Sequence, residues 1–169
     1  DTDYGGRLNI KTGDNSTNLV LVSTDADASV GPALDLYRDS SSPADNDIMG
    51  IINYKAENSA GEIITYANIV GVLGDVTDGT EDGQLRIQTM TAGSNVDRIA
   101  INTTETVIND TSKDLDFRVE SDNVTHALFV AGNNGYVGVN TAPAYVFEVE
   151  GATSGDWLAH IANTHATNG

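Results

Sequence analysis

The sequence predicts an all-β chain built of short strands, and three observations carry that expectation. Apolar residues seldom recur at the three- and four-residue spacing of an amphipathic helix. They fall instead into short runs rich in Val, Ile and Leu, several alternating strictly with polar residues. Between the runs stand clusters of Gly, Asp, Asn, Thr and Ser, the residues that turns require.

Taken in order, Leu19–Val22 is continuously apolar and forms the first expected strand, and Leu34 and Leu36 then alternate with Asp35 and Tyr37. Ile48–Tyr54 and Ile63–Leu73 follow, joined by Asn58-Ser59-Ala60-Gly61, a hairpin-loop composition. The second run is long for one strand, so Gly71 and Gly74 are expected to mark a bulge or bend. After the polar loop Asp75–Gly83, Leu85 and Ile87 alternate with Arg86 and Gln88. Ala92-Gly93-Ser94-Asn95 turns the chain into Arg98–Ile101, and Val107-Ile108 gives one more short strand.

Leu115, Phe117 and Val119 alternate with Asp116, Arg118 and Glu120, the pattern of a half-buried strand. Leu128–Val130, Tyr136–Val139 and Tyr145–Val149 complete the set, with Asn133-Asn134-Gly135 a tight-turn signal between the first two. Trp157–Ala162 fits either a helix capped by Ser154 or Asp156 or a strand, and strand is preferred. Phe117-Arg118-Val119-Glu120-Ser121 recurs 30 positions later as Phe147-Glu148-Val149-Glu150-Gly151, which suggests stacked β-modules.

Composition bounds the function. The 169 residues carry 8 Lys+Arg against 25 Asp+Glu, a formal net charge of −17. No basic stripe exists to neutralise phosphates, so nucleic acid is not an expected partner. No apolar run approaches the roughly 20 residues of a spanning helix, and no membrane insertion is expected. Without cysteine there are no disulfides and no thiolate zinc sites. Hydrophobic residues make up 39% and aromatics only 6%, which leaves a single chain with a thin core. Neither Asp1-Thr2-Asp3 nor Thr167-Asn168-Gly169 reads as a natural terminus, so a segment of a longer chain is expected.

Candidate chemistry is sparse. Asp25/Asp27, Asp45/Asp47 and Asp114/Asp116 could supply a glycosidase-type acid and base, but such near neighbours more often form a solvated acidic surface. Asp75, Asp78, Glu81 and Asp82 put hard oxygen donors in one loop, which suits calcium better than softer ions without matching EF-hand spacing. His126, His160 and His165 lack the spacing of a metal pair. There is no Gly-x-Ser-x-Gly elbow and no phosphate-cradling glycine loop. The expectation is therefore no enzyme, no catalytic or metal residue, and no cofactor.

The run Gly135–Gly151 steps from Gly-hydrophobic-Gly-hydrophobic through a Thr/Pro turn into an alternating strand closed by Gly. It resembles the recurring module of bacteriophage tail fibres and related virion appendages, with Gly138, Pro143, Val149 and Gly151 at the matching positions. Asn140 stands where a second glycine is usual, and Phe147 where Leu is usual. Leu115–Ser121 with Ala127–Val130 looks like the first half of the module, and Asp75–Leu85 with Arg98–Ile101 looks like segments of marine phage fibres.

The resemblance covers roughly residues 63–169. It implies four parts: an N-terminal β shaft segment (1–62), a β segment with the acidic loop (63–110), a fibre repeat module (111–151) and the start of a further module (152–169). It implies an elongated, intertwined homotrimer of β-prism- or β-helix-like shaft modules, in an extracellular virion tail appendage. The implied function is a structural tail-fibre segment that carries host attachment. Its implied partners are its own copies, other tail or baseplate proteins, and a host surface glycan or protein receptor. Alternatives from other classes are a head fibre or bacterial adhesin module, and a tailspike-type polysaccharide depolymerase.

Overall fold

A computed structural model describes residues 6–151. The expected strand at Trp157–Ala162, together with His160 and His165, lies outside the described residues. The chain divides into two compact units, Asp1–Tyr37 and Arg38–Gly169.

In the first unit the described residues form no strand, which corrects the expected strands at Leu19–Val22 and Leu34–Tyr37. Val20 and Val22 are 65% and 72% exposed. A β-strand exists only through a partner's backbone groups, and the described residues offer none here. What order there is comes from side-chain-capped turns: the Ser16 amide donates to Asp14 Oδ1 (2.9 Å) and the Ser29 amide to Asp27 Oδ1 (2.7 Å).

The second unit is all-β, with no helix among the described residues. A five-stranded antiparallel meander runs β1 (Ile48–Glu57), β2 (Ile63–Asp75), β3 (Asp82–Thr91), β4 (Ser94–Ile101) and β5 (Thr106–Ile108). A smaller four-stranded sheet follows, with β6 (Phe117–Val119), β7 (Leu128–Val130), β8 (Val137–Val139) and β9 (Phe147–Val149) in chain order. The main strand–strand contacts all lie within one sheet or the other.

Turn chemistry places these strands where the sequence indicates. Gly61 supplies positive φ (79°) in the β1–β2 turn, where Asn58 Oδ1 accepts from the amides of Ala60 and Glu62. The expected 62/63 boundary thus falls at the end of a hairpin turn inside one sheet. The expected irregularities near the end of β2 both appear: a register shift between Leu73 and Asp75 at Gly74, and opposite Gly71 a shift in β1 between Ile48 and Gly50 that leaves Met49 as the extra residue. Gly135 turns β7 back into β8 with φ 72°.

Register then decides which side chains share a face, because residues directly opposite each other project to the same side. One isoleucine from each strand aligns across the whole first sheet: Ile52 faces Ile69, Ile69 faces Ile87, Ile87 faces Ile99 and Ile99 faces Ile108. Gly50–Gly71–Leu85–Ile101 flanks this row on one side and Tyr54–Ala67–Thr89–Val96 on the other. The opposite face carries Asn68, Val70 and Val72 on β2, next to Gln88, Arg86 and Gln84 on β3. Leaving Arg98 as an extra residue, a bulge in β4 keeps both patterns in phase past Ile99.

The small sheet repeats the division. Phe117, Val130, Val137 and Phe147 align across all four strands on one face. Arg118, Phe129, Gly138 and Glu148 align on the other. The 30-residue recurrence is therefore the two edge strands of a single sheet, β6 and β9. The parallel step from β8 to β9 uses only residues 140–146, far shorter than the usual crossover of a dozen or more. Three-residue strands allow it, because there is little length to retrace.

Candidate functional site

Most sequence-picked acids are engaged in holding turns. Asp75 Oδ1 accepts from the Thr77 amide (2.8 Å), and Glu81 Oε1 from the Gly79 amide (3.1 Å). These bonds hold the Asp75 carboxyl below its ordinary range, chiefly through the Thr77 N–H, and the Glu81 carboxyl likewise, through its own N–H and that of Gly79. The loop uses these acids as turn caps, and no group of three or more His, Cys, Asp or Glu side chains converges among the described residues.

The paired aspartates behave similarly. Asp25 Oδ1 accepts from the Asp27 amide (3.3 Å). Asp45 accepts from the Val76 amide (3.0 Å), while Asp47 accepts from Ala44 (3.1 Å) and pairs with Arg38 (3.1 Å). Asp116 accepts from the Gly132 amide (2.9 Å) and lines an open cleft with Arg118, Glu120 and Phe129. In that cleft Glu120 is spoken for by Arg118 at 2.7 Å. His126 packs edge-on to Phe129 with ring centroids 5.1 Å apart, and its Nδ1 bonds with the Thr125 hydroxyl (3.0 Å). It completes the small core of the second sheet.

That core lies on one face only. Phe129 and Ala131 are buried, and Gly138 is roofed by the Thr141–Pro143 turn. On the other face Val119 and Leu128 are exposed and Phe147 is 65% exposed. The first sheet is less one-sided. Val70, Val72, Asn68 and Asp97 are buried on the polar-edged face, although Ile48 and Ile51 there are exposed. On the isoleucine face Val96 is buried, Ile69, Ile87 and Ile99 are half-buried, and the ends of the row, Ile52 and Ile108, are 41% and 44% exposed. No acidic residue stands in the three apolar rows of that face.

The most distinctive surfaces of the second unit are therefore two apolar rows in register that its described residues leave partly exposed. The sequence shows each isoleucine but not their alignment, which depends on bulge positions. No family model matches the chain, and no curated protein matches it.

Proposed function

We propose that the chain is a structural shaft segment of a phage tail fibre that assembles as a homotrimer through its two apolar sheet faces. One observation carries the reading: each sheet aligns an apolar row across all its strands, five isoleucines in the first, and in the single chain these rows are only half-buried at their centres and exposed at ends such as Ile52, Ile108 and Phe147. Fully burying one such side chain contributes about 1.5–3 kcal/mol, and part of that is unrealised at Ile52 and Ile108. Contiguous open apolar faces mark interaction surfaces. Identical copies around an axis offer each face the same chemistry it presents.

Two further features support it. Leu19–Val22 is an apolar run with no strand partner among the described residues, which suits pairing with a neighbouring copy in an intertwined fibre. The charge of −17 then forms a repelling coat that keeps long particles apart, while the apolar faces are free of acid. In this reading the shaft links other tail or baseplate proteins to a distal tip that engages the host receptor. Light scattering tests it: the mass of three chains is expected, and the mass of one chain refutes the trimer. Images of labelled particles then assign the segment to tail or head.

A further inference from the structure

The face of the first sheet opposite the isoleucine row holds a groove of about 250 Å³ that the shaft role does not use. Val70 and Val72 form its floor, Ile48 and Ile51 contribute apolar walls, and Asn68, Arg86 and Gln88 bring polar groups to it. Its volume falls below the roughly 300–1,000 Å³ of drug-sized sites, so it suits a ligand of about one ring.

The polar groups are incompletely satisfied. Asn68 is only 7% exposed, and its Oδ1 is buried with no hydrogen-bond partner. An orphaned buried carbonyl carries an unreturned desolvation cost, which a donor from outside would recover. Next to it, across the β2–β3 ladder, the Arg86 guanidinium donates to Gln84 Oε1 (3.2 Å), and among the described residues no acid pairs with it. Gln88 Nε2 is held by Asp97 Oδ1 (2.7 Å), which leaves the Gln88 carbonyl as an acceptor. Asp97 itself sits on β4 and does not line the groove.

The groove therefore asks for a ligand that accepts from Arg86 and donates to Asn68. A guanidinium matches a carboxylate best, because its planar fork bonds both oxygens. A hydroxyl a few ångströms away supplies the donor to Asn68 Oδ1. We infer that this groove binds a small hydroxylated carboxylate, the chemistry of an acidic sugar or an open-chain hydroxy acid. Arg86 holds the carboxylate, Asn68 and Gln88 accept from hydroxyls, and Ile48 and Ile51 pack on the C–H face. The site stands on the face opposite the isoleucine row.

The test uses the full 169-residue chain with methyl-labelled isoleucine, titrated separately with glucuronate, lactate, glucose and inorganic phosphate. Saturable shifts at the Ile48 and Ile51 methyls, with none at Ile87 and Ile99, are expected for glucuronate or lactate. Glucuronate alone assigns the acidic sugar ring, and lactate alone the open-chain acid. Glucose and phosphate are expected to bind at least tenfold more weakly. Arg86→Gln is expected to weaken the carboxylate at least tenfold with an unchanged circular dichroism spectrum. The inference is overturned by no saturable shift with either carboxylate, by equal binding of glucose or phosphate, or by shifts confined to the isoleucine row. Because all these titrations except Arg86→Gln read the unaltered chain, a variant that fails to fold does not spoil them.

Discussion

The turn at Thr141 lies directly on Gly138: a side chain there would drive into the Thr141 carbonyl oxygen and stand 2.9 Å from Pro143 Cδ. The glycine answers a need for space, set by the short β8–β9 crossover, and its backbone dihedrals are ordinary. Gly138→Ala must displace this turn, and overpacking of this kind costs about 1–3 kcal/mol. Gly83→Ala is the control, since nothing lies within 4 Å of a Cβ at that position. Urea unfolding is expected to show a clear loss for the first and a change within about 0.5 kcal/mol for the second. Equal stability for the two would remove the roofing turn as the reason for the glycine.

The isoleucine row makes a separate prediction through its ends. In a single chain Ile52 is 41% exposed, so Ile52→Lys should change stability by only about 0.5 kcal/mol. In an assembly that covers the face, the same lysine becomes a buried unpaired charge costing several kcal/mol. The expected outcome is a fall in light-scattering mass from three chains towards one, with strand content retained. Unchanged mass and stability would mean that this face stays open to water.

Much of the second unit was legible because its signals are local. Asn58–Gly61, Ala92-Gly93 and Asn133–Gly135 announce turns by residue type, and the strands between them follow from alternation. Gly138 and Pro143 were legible as a motif, but their contact was not, since it depends on how residues 140–146 cross the sheet. The Ile52–Ile108 row and the orphaned Asn68 carbonyl were illegible for a related reason. Face assignment follows register, and the shifts at Tyr54/Lys55 and Ile87/Gln88 reverse what simple counting gives. Leu19–Val22 misled in the other direction: apolar content made it look like a strand, while strand formation needs a partner that the described residues do not supply.

Acid should release the Val76–Glu81 turn. Asp75 titrates below its ordinary value of 3.8, mainly through the Thr77 N–H, and Glu81 below 4.5 through its own N–H and that of Gly79. A carboxyl whose folded pKa is depressed contributes stability above its unfolded value and loses it as pH falls through the folded one. The turn is therefore intact at neutral pH and loosens below 4.5 and then 3.8. Amide shifts of Thr77 and Gly79 followed against pH should give midpoints under those two values. Midpoints at or above them would deny the caps.

Salt should stabilise the protein, and calcium should do so without specificity. A charge of −17 on one chain, tripled in a trimer, opposes the compact state through self-repulsion. Screening shortens the range of that repulsion from about 30 Å at 0.01 M salt to about 8 Å at 0.15 M, while apolar burial is untouched. The melting temperature should therefore rise with sodium chloride, most steeply at low concentration. Calcium and magnesium at equal ionic strength should give the same melting temperature, because Asp75 and Glu81 already serve the turn and Asp45 caps Val76. A melting temperature flat or falling with salt would show that repulsion is not the dominant electrostatic cost. A rise specific to calcium would return the Asp75–Gly83 loop to the role of a metal site.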